Sequence, residues 1–590
     1  MEVYSKEHLA SEKVGRLLAV ARGEEKADLV LKNARVTDLA GGRLWEADLA
    51  VAEGRIAGIG KYSGYREEDL RGAVVCPAFI DGHVHVESSM VSLPDYARAV
   101  VPRGTLGVVT DLHEIANVLG MEGIRYMLEV SRGLPLELHV MAPSCVPATP
   151  METSGAVLGV EELEKLRQEG LVIGLGEVMN YPGVVAGEPE VLAKIQAYQG
   201  LPVDGHAPGL SGGELNAYVA TGILSDHECV DADEAEEKLA RGMYVYVREG
   251  STARNLEALL PTVLSGSPDR FLLVSDDVNP EDLSTRGHLD FLVRRAVELG
   301  IEPLRALRMV TVNPARRFGL TDTGELVPGY RANLVVLEDL KRMRVLQVYR
   351  EGEKVAQEGE NLWMAPRVIR QAPASMRIAW DRIPGIALRA EGRKVRVIGV
   401  VPDQIITESL VEDARVVEGW AVQDPARDLL KICVFERHRG TGNVGIGFVR
   451  GFGLREGAMA STVAHDSHNL VVVGASDEEM LFAARVVERM GGGQVVVRGH
   501  DILAELPLQV AGLMSTLPLE KVREGVKRLR EAARGLGCEL NDPMMSLAFM
   551  ALPVIPSLKI TDRGLFDVGS FRHVPVFLSD PASRADDLAG

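Results

Sequence analysis

The sequence predicts an α/β protein: a (β/α)8 TIM-like barrel inserted in a small composite β domain, followed by a C-terminal mixed α/β domain. Three observations carry this. Short apolar runs alternate with helical stretches between Cys76 and about residue 277, the texture of βαβ units and a parallel sheet. Those runs number eight (AFIDGHVH, LGVVTDLH, LELHVMAPS, GLVIGLGEV, LPVDGHA, GILSDHE, MYVYVREGS and FLLVSDD), as a closed barrel requires. Alternating, glycine-punctuated β texture flanks them on both sides.

In chain order, residues 1–27 are expected to form a helical extension, because Leu9, Val14, Leu17, Leu18 and Val20 fall mostly on one side of a helix over 7–22. Residues 28–75 (ADLVLKNARVTDL, then EADLAVAEGRIAGIG) form the first half of the small β domain, with turns at Gly41-Gly42 and Gly54. The barrel spans 76–310. After Asn313-Pro314 the β texture returns, so 311–365 supply the second half of the β domain. Residues 366–590 make a separate α/β domain with no role legible from its residues.

The chain has 590 residues, 46% hydrophobic and 25% charged, with 65 basic against 84 acidic side chains and a net charge of -19. That length calls for several domains. Without basic clusters a nucleic-acid partner is disfavoured. The five cysteines are scattered and contain no C-x-x-C, which suits a reducing compartment. Neither a signal-peptide h-region nor an apolar run of membrane-spanning length stands out, so a soluble cytoplasmic protein is expected. A homo-oligomer is the default for a large cytosolic protein.

The first barrel strand ends in His83-Val84-His85. Period two places both imidazoles on one face, and the C-terminal end of a barrel strand is where ligands converge. Later strand candidates end in Glu177, His206, His227 and Asp276. Four histidines and two carboxylates at one mouth suit two divalent ions about 3.5–4 Å apart; Mn2+, Fe2+ and Zn2+ all accept such ligands. Asp276 is the candidate proton shuttle, since it can touch both metal and water. Several further residues have a functional and a plainer reading. His113 and Glu114 end the second strand and either read a substrate edge or form a solvated loop pair. Glu87, Ser88 and Ser89 follow the paired histidines and could orient them, and Asp277 has a similar supporting role. His288 either reaches the mouth or starts a helix. His465, Asp466 and His468 have chelating composition, but their distance in sequence favours a structural or interface role over active-site closure.

Three motifs lead elsewhere and are set aside. His85-Val86-Glu87 satisfies the first half of the cytidine-deaminase zinc signature, yet P-C-x-x-C is absent. Gly209-Leu210-Ser211-Gly212-Gly213 matches the nucleophile elbow, but Ser211 with Glu214 also has capping-box spacing, which is the preferred reading. The G-x-G pairs at Gly58 and Gly445 lack the third glycine, and no Walker A sequence occurs.

The motifs Ile80-Asp81-Gly82-His83-Val84-His85-Val86-Glu87-Ser88-Ser89, Asp111–Asn117 (DLHEIAN), Gly176-Glu177-Val178-Met179 and Asp204–Pro208 (DGHAP), with Ala464–Asn469 and Leu552–Pro556 beyond them, together resemble the amidohydrolase superfamily. Within it, they look most like the bacterial-type adenine deaminases. Ala78 departs from the glycine usual there. The resemblance implies metal-dependent deamination of adenine to hypoxanthine and ammonia, in purine salvage, with Mn2+ as the leading metal and Fe2+ or Zn2+ as alternatives. It implies a carboxylate bridge at Glu177 where related cyclic amidohydrolases use a carbamylated lysine, and it allows His227 to act as proton donor. Met179, in the same motif, becomes a candidate for substrate contact. The remaining alternatives are a cyclic amidohydrolase or another aminopurine deaminase, and a metal-free scaffold of the same fold.

Overall fold

The structure is a computed structural model describing residues 10–364, 371–402 and 404–578. The amphipathic N-terminal segment forms a helix over Ser11–Ala21. It seats Val20 and Leu17 on Ala27, Val30, Ala50 and Ala52 of the sheet that follows; Leu9 lies outside the described residues. That sheet has nine strands drawn from two distant parts of the chain. Val74–Pro77 closes its first part and pairs antiparallel with Leu334–Leu337, where the chain returns. The chain therefore leaves the sheet at Pro77, builds the barrel and re-enters beside its own exit.

The barrel strands are β1 (Phe79–Val84), β2 (Thr105–Asp111), β3 (Glu137–Ala142), β4 (Gly174–Val178), β5 (Val203–Gly205), β6 (Ser225–Asp226), β7 (Tyr244–Arg248) and β8 (Phe271–Val274). Every residue of β2 and β4 is buried, as a parallel sheet covered on both faces demands; this explains their continuous rather than alternating apolar runs. Parallel ladders join β1 through β5 and β6 through β8. The ring closes through a parallel bridge between Val84 and Asp276, with His85 N donating to Asp276 O (3.2 Å) and Asp276 N to His83 O (3.0 Å). The β5–β6 seam is held differently, by side chains. Ser225 Oγ donates to Asp204 (2.8 Å), and Asp204 also accepts from Tyr246 (2.9 Å) and from Arg317 (2.8 Å). Gly205 is needed there, because a Cβ would fall 2.3 Å from Ser225 O.

The C-terminal domain is built on an eight-stranded sheet. Alternation along Gly493–Arg498 directs Val495 and Val497 into the cluster shared with the helix Asp477–Arg489, while Val496 joins the main core with Leu529 of the helix Leu519–Gly535. That main core also contains the barrel's apolar residues, so the two domains share one hydrophobic interior.

Ser211 occupies the residue before the helix Gly212–Ala220, but its side chain makes no capping hydrogen bond. The capping-box expectation is corrected: Gly212 N donates instead to Glu237 (2.9 Å). None of the described helices is long and apolar enough to cross a membrane.

Candidate metal centre

His83 is the fifth residue of β1 and His85 follows its end, so both rings point into the mouth. Glu177 is in β4, His206 and His227 each directly follow a strand end, and Asp276 lies two residues past the end of β8. The short β5 and β6 hand over their histidines through one anchor, Asp226. Its carboxylate accepts from Ala207 N (2.8 Å), from Glu228 N (3.0 Å) and from Lys238 Nζ (2.9 Å), and Lys238 also holds Ala207 O (2.8 Å). The backbone beside both ligand candidates is thus fixed by a fully buried ion pair.

The six strand-end groups converge. His85 Nε2 lies 3.2 Å from Glu177 Oε1 and 3.3 Å from Asp276 Oδ1, and His83 Nε2 lies 3.4 Å from Asp276 Oδ1. On the other side, Glu177 Oε2 faces His206 Nδ1 at 2.9 Å and His227 Nε2 at 3.3 Å, and these two nitrogens are 3.3 Å apart. Glu177 therefore presents one oxygen to each of two donor clusters. Donor atoms at the corners of a tetrahedron around an ion with ~2.1 Å bonds are about 3.4 Å apart, which is the spacing found. His85 Nδ1 donates to Asp111 O (3.1 Å), fixing the tautomer that leaves the Nε2 lone pair free for an ion. His83 Nε2 is buried and has no hydrogen-bond partner among the described residues. The donor set fits two divalent ions.

The electrostatics agree with that fit. Burial opposes ionisation of Glu177, but hydrogen bonds from His206 and His227 outweigh it and hold its pKa well below the usual carboxylate range. Asp276 is likewise held low against burial by His83, His85 and Arg248. Conversely, burial disfavours charge on His85 and His227, yet the facing carboxylates raise both well above the ordinary imidazole value. A concentrated negative field at buried nitrogen donors is what a divalent cation requires.

The other expected residues divide. Ser88 Oγ donates to Asp277 (2.5 Å), and burial beside Asp276 pushes the Asp277 carboxyl up. Glu87 accepts from Ile115 N (3.2 Å); its second oxygen is buried and has no partner among the described residues, and burial with Glu114 nearby raises its pKa to about 7. His113 is buried, with Nδ1 3.6 Å from Glu177 and Nε2 3.5 Å from Glu114, so the solvated-pair reading fails for both residues. Met179 is partly buried two residues beyond Glu177. His288 stays outside the donor cluster: it precedes the helix Leu289–Glu298 and binds Asp81 (3.2 Å), Tyr96 (3.0 Å) and Thr105 (2.9 Å). Through Asp81, which accepts from His83 N, it supports β1 from behind.

Two corrections concern residues placed elsewhere or overlooked. The histidines of residues 464–469 are not remote; His465 and His468 both contact Glu114 at the barrel mouth, because the two domains share a core. Glu228 and Arg248 were missed. Glu228 Oε1 lies 3.3 Å from His227 and 3.5 Å from His206, and Arg248 bridges Glu228 (2.5 Å) and Asp276 (3.1 Å). Burial notwithstanding, His206, His227 and Arg248 bring the Glu228 carboxyl down to about 2. The signal was present: Glu228 is adjacent to His227, and Arg248 ends β7.

Residues 74–355 match the amidohydrolase family model and residues 404–572 the adenine deaminase C-terminal domain model. Among curated relatives, an adenine deaminase of Dehalococcoides mccartyi is 47% identical and adenine deaminase 2 of Carboxydothermus hydrogenoformans 48%, each covering 95% of this chain and 99% of its own. The adenine deaminase of Brucella suis is 47% identical over 94% of this chain and 95% of its own.

Proposed function

The chain belongs to the adenine deaminase family of the amidohydrolases, and from that premise we infer that it hydrolyses adenine to hypoxanthine and ammonia. The observation that carries this reading is likeness to those relatives over 95% of the chain, the C-terminal module included. The donor geometry supports it independently of substrate.

His83, His85 and Asp276 with Glu177 Oε1 would hold one divalent ion, and His206, His227 and Glu177 Oε2 the other. Mn2+ is the first candidate, with Fe2+ or Zn2+ also suited to the ligands. Ions bound there supply a water acidified enough to attack near neutral pH. Addition at C6 of adenine needs a base for the water proton and an acid for the departing amine. Asp276 serves as that shuttle: His83, His85 and Arg248 keep it ionised, the form a proton acceptor needs. His227, stacked on His83 with ring centroids 4.2 Å apart, would serve the second ion through Nε2, which faces Glu177 Oε2 at 3.3 Å. Carbon–nitrogen cleavage then expels ammonia, and the product keeps the oxygen at C6. A place in purine salvage follows from that product.

Loading the purified protein with Mn2+ or Fe2+ and supplying adenine tests the reading. Ammonia and hypoxanthine in equal amounts are expected. A metal-replete protein that leaves adenine intact would overturn it.

A further inference from the structure

The C-terminal domain sends residues 464–469 over the barrel mouth and holds them there firmly. Arg437, fully buried, donates to the carbonyls of His468, Ser375 (2.9 Å) and Ala511 (2.9 Å). Asn469 Nδ2 donates across the domain boundary to Thr153 O (2.8 Å). His468 sits at φ 54°, a left-handed conformation that a non-glycine residue adopts only when its surroundings impose it.

From this loop His465 Nδ1 reaches Glu114 Oε1 at 2.8 Å, and His468 Nε2 reaches Glu114 Oε2. The three groups have the composition of a metal site, but the hydrogen bonding argues otherwise. Ala464 N donates to His468 Nδ1 (3.1 Å), which puts the ring's proton on Nε2, where it donates to Glu114. An ion at Nε2 would need the opposite tautomer. Glu114 is thus the latch that docks the loop.

Between the two latching histidines lies Asp466, which the latch does not use. Its side chain is buried, the residue being 7% exposed, and accepts no hydrogen bond among the described residues. His465 Nδ1 lies 4.0 Å from its Oδ1. Asp466 lies between the two histidines that dock on Glu114, which is 3.5 Å from His113, itself 3.6 Å from Glu177, so it borders the mouth. Its oxygens are not sealed from solvent and have only His465 beside them among the described residues, so a ligand entering the mouth can supply the donor they lack. Adenine offers two kinds of N–H donor: the amine at C6, which must face the donor cluster to leave, and the ring N–H of the imidazole half, at the opposite end of the molecule.

We propose that Asp466 accepts the imidazole-ring N–H of the free purine base and thereby excludes nucleosides, in which that nitrogen carries the sugar. The proposal rests on the adenine reading above. It gives the C-terminal domain a part in substrate choice: the barrel supplies the chemistry, and the domain supplies the group that reads the far edge. Sites that pair a buried group with a substrate N–H reject analogues lacking it by about 10⁴ or more.

The test compares adenine with 9-methyladenine, which keeps the reacting C6 amine but has no ring N–H. Wild type, Asp466→Ala and Asp466→Asn are assayed metal-loaded, with metal content measured on each. Wild type is expected to prefer adenine by at least about 10³ in kcat/KM. Asp466→Ala should lose about 10²-fold on adenine, mostly in KM. It should hold or gain on 9-methyladenine, so that the preference collapses. Asp466→Asn, which retains an acceptor oxygen, should fall between, and metal content should not change. If both substrates fall together in Asp466→Ala, or neither falls, the proposal is overturned and the residue only shapes the loop. A metal-replete wild type inert toward adenine defeats the underlying function instead, before any variant is compared.

Discussion

Asp276 does three jobs at one position. Its backbone closes the barrel against β1, its Oδ1 faces His83 and His85, and its Oδ2 accepts from Arg248. It does so at φ 54°, so its conformation is maintained against a local preference, as is common at functional sites. Asp276→Asn keeps the shape but removes both charge and basicity. The expected outcome is a loss of at least about 10² in kcat, checked by steady-state kinetics at matched metal content. A smaller loss would remove Asp276 from the role of proton shuttle. Legibility at this scale followed residue type. Strand-end histidines and carboxylates announce ligand chemistry in the sequence. Arg248 ends a strand too, but a guanidinium is no ligand, and its bridge to Glu228 and Asp276 exists only once three strand ends meet.

At the scale of elements, the shortest strands carry the heaviest duty. Val203–Gly205 and Ser225–Asp226 are too short to be held by ladder hydrogen bonds alone, yet His206 and His227 follow them directly. The helix Ala232–Ala240 compensates by delivering Lys238 into the barrel wall, where it binds Asp226, Glu234 and Ala207 O. The one-turn spacing of Glu234 and Lys238 is visible in sequence; that the lysine turns inward is not, because the i,i+4 pattern is the same on a solvated face. Removing one partner of a fully buried pair leaves the other charge uncompensated, at about 3–5 kcal/mol. Lys238→Met is therefore expected to lower unfolding free energy by about that amount in urea denaturation. It should also weaken metal binding about 10- to 100-fold, read by competition with a chelator. Unchanged metal affinity would show that Lys238 braces the wall without positioning the ligands.

For the whole molecule, the barrel and the split β sheet follow from local texture, but the shared core between barrel and C-terminal domain does not. The contact between Glu114 and His468 joins residues 354 positions apart, and no periodicity encodes such a pairing. The same interface holds a further buried charge. Lys559 is fully buried in the hairpin strand Leu558–Thr561, donating to Ile405 O (2.8 Å) and Phe549 O (2.9 Å) with no carboxylate partner among the described residues. Phe549 in turn stacks on His465, so this lysine lies behind the loop that covers the mouth. Burial lowers its pKa to about 7, against about 10.4 in an unfolded chain. Below pH 7 both states carry the proton and the penalty of burying it is complete. Between about pH 7 and 10.4 the unfolded chain holds a proton that the folded one has shed, so this group's contribution to unfolding free energy rises with pH. Lys559→Met removes that slope. Urea midpoints of the metal-loaded proteins at about pH 6.5 and 9.5 should show wild type gaining on the order of 3 kcal/mol relative to the variant across the interval. Parallel pH profiles for the two would mean that Lys559 stays charged in the fold, held by its two carbonyls.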